Sequence, residues 1–358
     1  MLLIILYTTA TRHRLFGNLD GYAEHYARSF QGTSRSRHIE LADEVSWADF
    51  AYCTYATAPD NVCNSLMLLE SLHRVNVKAD RLLLYSNQWD IESKDQPEAE
   101  LLRRARDLYG VKIQPIEILT ANSVRDYTWA AGFTKWLAFN QTQYKRVMTL
   151  NSDGTVLRPM DELFLMPSTA VALPRAYWLN DSLSAQITLV QPSVSSFAAI
   201  QKQMENRKID DYDMEIINAI YGDSCAILPH RPYNLLTGEF RSADHAAYLG
   251  GKDERWDPEE IMEETKYIHF SDWPLPKPWA PHSEDVLKTV MPKCGGKDDC
   301  ADRRIWLRLY EDFRERRKNV CGPEYAEWEA AEMSMKVQQL LGEPNPALRV
   351  AGSSSDPN

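Results

Sequence analysis

Between residues 51 and 150 short apolar runs alternate with longer amphipathic stretches, and no other feature limits the fold of this chain as much. Segments 51–55 (AYCTY), 81–85 (RLLLY), 111–118 and 146–150 (RVMTL) read as strands, whereas 61–74 (NVCNSLMLLESLHR), 99–109 and 133–142 carry apolar residues at helical spacing. Strand, helix and strand in repeated order predict an α/β domain with a mostly parallel central sheet flanked by helices. The rhythm then loosens, with further strands expected at 171–174, 187–191 and 267–270 and a helix near 193–207. Segment 273–281 (WPLPKPWAP) cannot be a helix or a central strand, because proline removes backbone donors and fixes φ; it predicts a rigid extended loop. Segment 303–318 predicts an amphipathic helix with Ile305, Trp306, Leu309 and Phe313 inward and its arginines on a solvated face. The chain divides into a tail or stem (1–48), an α/β domain (49–281), a C-terminal helical extension (282–330), and a helix end with a Pro/Ser/Gly-rich flexible tail (331–358).

Composition removes several function classes. A net charge of −11, from 40 Lys+Arg against 51 Asp+Glu, argues against a protein built to hold nucleic acid or acidic lipid. The apolar start, residues 1–7 (MLLIILY), falls short of the roughly 20 residues that span a bilayer, so no membrane anchor is evident from it. There is no CxxC pair; Cys294 and Cys300 flank the loop KCGGKDDC, and a disulfide there, or from either to Cys321, suits a secretory lumen, while three reduced thiols remain the alternative. Asn140-Gln141-Thr142 and Asn180-Asp181-Ser182 match the N-glycosylation pattern, which also arises by chance. GxGxxG, GxxxxGK[ST] and HExxH are absent, which disfavours a nicotinamide oxidoreductase, a P-loop nucleotide site and a zinc protease. A nucleotide here needs another device for its phosphates, and a metal is the obvious candidate.

The segment 146–164, RVMTLNSDGTVLRPMDELF, carries the most chemistry. A strand runs into Asn151-Ser152-Asp153, and ligands of open α/β sheets collect at the carboxyl ends of strands. Oxygen donors two residues apart at such an end can face one hard cation. Taken alone, the same residues also read as a β-turn around Asp153-Gly154.

The blocks AYCTYAT, NSLMLLESLHR, FTKWLAFNQTQY, LPRAYWL, YDMEIIN, LPHRPYNLLTGEFR and HFSDWPLPKPW follow one another across residues 49–322. In this order they resemble glycosyltransferase family 8, the glycogenin-like retaining enzymes, and more closely its fungal N-acetylglucosaminyltransferase branch. The resemblance implies a GT-A fold, one domain joining a nucleotide-binding half to an acceptor-binding half. It implies that Asn151 and Asp153, matching an Asp-x-Asp motif, hold Mn²⁺ (or Mg²⁺) with His269 against a diphosphate. Lys277 and Lys135 match lysines that reach the nucleotide, Ser152 belongs to the same nucleotide-binding triplet, and Tyr55 and Thr57 match positions at the base and ribose. Asp210 and Asp213 match acidic positions near donor sugar and acceptor, and are the catalytic candidates.

The resemblance has departures. Asn151 replaces the first aspartate, so one negative charge beside the cation is lost. Met214 stands where the family commonly has Gln, Ser184-Ala185-Gln186 where glycogenin has Asn-Ala/Ser-Gly, and Ala58 where glycogenin has Asn. The expected function is Mn²⁺-dependent, retaining transfer of a sugar, GlcNAc foremost, from a UDP-sugar to a glycan hydroxyl, with a mannose-containing acceptor in view. The alternatives are UDP-glucose or UDP-galactose as donor, or a non-catalytic UDP-sugar-binding relative degenerate at Asn151. The resemblance also implies the Golgi lumen and a type II membrane association, with the cytoplasm as the alternative.

Overall fold

The computed structural model describes residues 45–120, 131–179, 182–280, 282–323 and 325. Residues 1–7, most of the expected stem, 331–358, and Asn180 and Asp181 of the second glycosylation triplet lie outside them. Every element named here lies within the unit that begins at Trp47.

The expected alternation is present: β1 (Phe50–Ala56), α1 (Pro59–Arg74), β2 (Asp80–Ser86), α2 (Pro97–Tyr109) and β3 (Lys112–Ile116), then β4 (Arg146–Leu150) after a 3₁₀ helix at Gly132–Asn140. Ala51 to Thr54 and Ala56 of β1 are all buried, as expected of a strand covered on both faces by helices. Local chemistry sets the ends of α2. Pro97 occupies its first turn, where a missing N–H costs nothing, Glu98 and Glu100 complement its positive end, and Gly110 closes it with φ 59.

β5 (Gly154–Val156), β6 (Val171–Pro174) and β7 (Ile187–Val190) precede the helices α3 (Val194–Glu205) and α4 (Asp213–Tyr221). β8 (Ala226–Leu228), β9 (Leu235–Leu236), α5 (Pro258–Glu264), β10 (Tyr267–His269), α6 (Glu284–Val290) and α7 (Ala301–Val320) follow. The main sheet runs β3-β2-β1-β4-β7-β6-β8. Its strands pair in parallel except β7, which is antiparallel to both β4 and β6. This is the expected α/β layout, a mostly parallel central sheet flanked by helices. Trp136 and Phe139 of the 3₁₀ helix pack with Ala51, Leu82 and Val147 in the core on one face of the sheet. A second sheet, β5-β10-β9, stands at the carboxyl end of β4. The segment 273–280 holds no helix or strand, as its prolines require.

α7 departs from expectation in what it buries. Its inward stripe is Trp306, Tyr310, Phe313, Arg317 and Val320, while Ile305 and Leu309 are only half-buried at its flanks. Its arginines divide: Arg304 and Arg308 are exposed, whereas Arg303, Arg314, Arg316 and Arg317 are not. Arg317 is 5% exposed and donates to Asn64 Oδ1, Arg316 pairs with Glu70, and Arg314 donates to the Pro278 carbonyl at 3.1 Å. α1 presents Asn64 and Glu70 to α7, so these guanidinium groups find partners that sequence spacing on α7 alone does not reveal. Cys321 pairs with Cys63 of α1, 258 residues away, rather than with Cys294 or Cys300, which pair with each other. Among the described residues no helix is long and apolar enough to cross a membrane.

Arg317→Ala leaves the buried Asn64 Oδ1 without this donor and should cost about 1–3 kcal/mol, read as a lower urea midpoint at unchanged m-value. An unchanged midpoint would show that the guanidinium does not hold α7 to α1.

Candidate active site

At the end of β4, Asn151 N donates to the Gln186 carbonyl at 3.0 Å, carrying the β4–β7 pairing one residue beyond the strand. The chain bends at Ser152 and Asp153 and re-enters regular structure as β5. β5 runs antiparallel to β10 with Gly154 opposite His269, and Phe270 N donates to the Asp153 carbonyl at 2.9 Å. This register sets His269 beside Asp153. Gly154 is required because a Cβ there would fall 2.5–2.6 Å from the Tyr267 ring. Tyr267 is fully buried, and its hydroxyl donates to the Asn151 carbonyl at 2.9 Å. Gly154 thus begins a strand, where the residues alone also suit a turn.

Two ionic clusters follow. In the first, Asp153 Oδ1 lies 2.8 Å from His269 Nε2 and Asp153 Oδ2 lies 2.8 Å from Lys277 Nζ, which also donates to the Phe270 carbonyl. In the second, Lys135, 4% exposed, donates to Asn151 Oδ1 at 2.8 Å and to the Ala185 carbonyl at 3.3 Å, and pairs with Asp213 Oδ2. Asp213 is the first residue of α4, whose start is fixed by Glu215 accepting from Tyr212 N at 2.9 Å; a carboxylate there also meets the positive end of the helix.

Burial pushes the Asp153 carboxyl up, but His269 and Lys277 outweigh it and hold the group well below the usual carboxylate range. Burial lowers His269 below the ordinary histidine value despite the adjacent Asp153. Burial, then the charges of Asp213 and Asp153, push the Tyr55 hydroxyl upward, so Tyr55 feels both clusters.

Lys135, Asn151, Asp153, Asp213, His269 and Lys277 are therefore brought together from positions up to 142 residues apart in the chain (135 to 277), with Tyr55 nearby. Thr57 and Ser152 sit just past the carboxyl ends of β1 and β4, and Asp210 lies exposed in the turn before α4. Gln186, whose Nε2 lies 3.2 Å from His269 Nδ1, joins the site without having been expected. It is 83 residues from His269; its triplet matches the glycogenin Asn-Ala/Ser-Gly turn, but that match does not signal the contact with His269.

Among the described residues no group of three His, Cys, Asp or Glu side chains is placed to share a cation. Asp153 and His269 reach three donors only with the Asn151 amide, whose Oδ1 accepts from Lys135 and keeps a second lone pair. Two observations fit a cation nonetheless. His269 Nε2 is buried and its 2.8 Å approach to Asp153 is not aligned as a hydrogen bond, as with two donor atoms directed at a shared ion. Gln186 Oε1 is also buried without a partner; with the amide turned, it accepts from Nδ1–H and leaves the Nε2 lone pair for a metal. Such a set suits a divalent ion that takes its other ligands from diphosphate oxygens.

Gly154→Ala forces the new methyl into the Tyr267 ring, at a cost of about 1–3 kcal/mol. Adding Tyr267→Phe, which removes the hydroxyl nearest that methyl, should recover part of the lost urea midpoint. An unaltered midpoint in Gly154→Ala would contradict the register described.

No family model matches the chain. A relative in Gibberella zeae named glucose N-acetyltransferase 1 is 49% identical over 287 residues, 77% of this chain and 63% of that protein, so the chain spans less than two thirds of its length. A relative of the same name in Aspergillus fumigatus is 40% identical over 307 residues, 79% of each chain. Among solved structures, the apo form of the bifunctional glycosyltransferase WbbM aligns with 81% of this chain and 51% of its own at a TM-score of 0.49 and 15% identity, too distant a likeness to carry an argument. Four residues in ten shared over most of both chains, with the Aspergillus fumigatus relative, is common descent, and the chain belongs to the glucose N-acetyltransferase 1 family.

Proposed function

We propose that this chain is a retaining glycosyltransferase that moves N-acetylglucosamine from UDP-GlcNAc to a glycan hydroxyl. The observation that carries the reading is the pair of clusters at the carboxyl end of β4: Asp153 with His269 and Lys277, and Lys135 with Asn151 and Asp213. Breaking a glycosyl–phosphate bond leaves negative charge on the departing diphosphate and positive character at the anomeric carbon. Lys277, a third exposed beside Asp153, would meet the first, and Asp213 the second. Lys135 pairs with Asp213 and fixes it in place, so this carboxylate needs no reorganisation as charge develops. A divalent ion, Mn²⁺ foremost, would be held by Asp153, His269 and Asn151 and would supply Lewis-acid stabilisation of the diphosphate. The relatives' shared name joins glucose with an N-acetyl group, in keeping with N-acetylglucosamine as the sugar moved. Two disulfides fit an oxidising lumen such as the Golgi.

One observation favours a second reading, a non-catalytic UDP-sugar binder. Asn151 offers its Oδ1 to Lys135 in place of a second acid, so the cation side is a charge short.

Incubation with UDP-GlcNAc, UDP-glucose or UDP-galactose and a mannose-terminated oligosaccharide separates these readings. Release of UDP from UDP-GlcNAc that depends on Mn²⁺ and stops with EDTA is the expected outcome; no release from any donor removes the enzyme reading. Asn151→Asp restores the missing charge and should tighten Mn²⁺ binding by about tenfold, equivalent to about 1.4 kcal/mol. A rate that rises with that affinity identifies an enzyme weakened at Asn151, and zero turnover in both forms identifies a binder.

A further inference from the structure

Three residues after His269 and five before Lys277 lies a buried carboxylate with no part in the chemistry outlined above. Asp272 is 3% exposed. Its side chain accepts from Trp306 Nε1 at 2.9 Å and Tyr310 OH at 2.7 Å, both on α7, and from Thr237 Oγ1 just past β9. Arg241 comes within 3.5 Å of Oδ1 and donates to the Asp272 carbonyl at 2.9 Å. Burying a carboxylate costs several kcal/mol unless its lone pairs are met, and an apolar residue would fill the same space without that cost. The charge is therefore explained by what it fastens rather than by core packing.

What it fastens is the loop that carries Lys277. From Ser271 to Ala280 no regular element supports the chain. The loop depends on a few bonds: Leu275 N to the Asp272 carbonyl at 2.8 Å, Ala280 N to the Lys277 carbonyl at 2.8 Å, and Lys277 Nζ to the Phe270 carbonyl. Thr237 Oγ1 ties the same stretch to the second sheet, accepting from Ser271 N at 3.0 Å. Asp272 thus joins the first part of the loop to α7, as Arg314 does further along at the Pro278 carbonyl, and α7 is itself pinned to α1 by Arg317, Arg316 and the Cys63–Cys321 bond.

We propose that Asp272 is a positioning residue for the nucleoside diphosphate: bound to Trp306 and Tyr310, it fixes the loop so that Lys277 stands beside Asp153, ready for a phosphate oxygen. The proposal rests on the reading of Lys277 as a diphosphate-binding group. It makes α7 part of donor binding, with Trp306 and Tyr310 acting through Asp272 and the Tyr310 ring also packed on Phe270.

The test is the affinity of the full chain for UDP, by calorimetry with Mn²⁺ present. Asp272→Asn keeps the shape but turns an acceptor into a donor facing donors, and should weaken UDP binding by about tenfold. Tyr310→Phe keeps the ring, loses one bond, and should weaken binding in the same direction by a smaller factor; it stands in if Asp272→Asn does not fold. Lys277→Ala separates positioning from general loosening. If Asp272 acts through Lys277, then Asp272→Asn, or Tyr310→Phe in its place, changes affinity by less than about twofold in the Lys277→Ala background, whereas independent effects multiply. Unchanged UDP affinity in both variants, or full multiplication with Lys277→Ala, overturns the proposal while leaving the functional reading intact. A wild-type protein that does not bind UDP removes that reading, and the proposal with it.

Discussion

The antiparallel pairing of β5 with β10 is the constraint on which the site depends. Its register sets Gly154 opposite His269, and so puts the residue before Gly154, Asp153, next to the imidazole. Shifting the pairing by one residue would turn every side chain of β10 to the opposite face and remove His269 from Asp153. Gly154 and Tyr267 enforce the register sterically, since only a residue without Cβ clears the buried ring. The main sheet delivers Asn151 to this point as the extension of β4, and the small sheet completes the arrangement from the far end of the chain.

Charge is nearly balanced across the two clusters. Lys135 and Lys277 face Asp213 and Asp153, while burial favours a neutral His269. An acid at position 151 would tip that balance towards a bound cation, and Asn151 leaves it even. Asn151 therefore has a local counterpart, a lysine that hydrogen-bonds the amide instead of pairing with a second acid. Because the lysines are braced, one by burial and the other by a loop tied to α7, the site is built before any ligand arrives, which is the condition for electrostatic stabilisation of developing charge.

Much of this was legible in the sequence, for identifiable reasons. β1, α1, β2 and α2 follow from hydrophobic spacing because a strand buried on both faces and a helix with one buried face leave different periods. The prolines of 273–281 excluded regular structure there by stereochemistry alone. The grouping of Lys135, Asn151, Asp153, Asp213, His269 and Lys277 came from ordered motifs resembling a known family, since no local pattern links residues that far apart. What stayed hidden depends on partners distant in sequence. Arg316 and Arg317 read as solvated until α1 presents Glu70 and Asn64, Cys321 pairs across 258 residues, and Gln186 and Asp272 have meaning only once His269 and α7 are in place. Tyr310 replaced Ile305 and Leu309 in the buried stripe because its hydroxyl has Asp272 to meet, a contact that apolar periodicity does not register.

The most direct test of the account is a crystal structure of the protein with UDP and Mn²⁺. The account predicts a metal bonded at about 2.0–2.4 Å to Asp153 and His269, with Lys277 Nζ moved from Asp153 onto a diphosphate oxygen. A diphosphate bound elsewhere, or one bound while Asp153, His269 and Lys277 keep their present contacts, would contradict it.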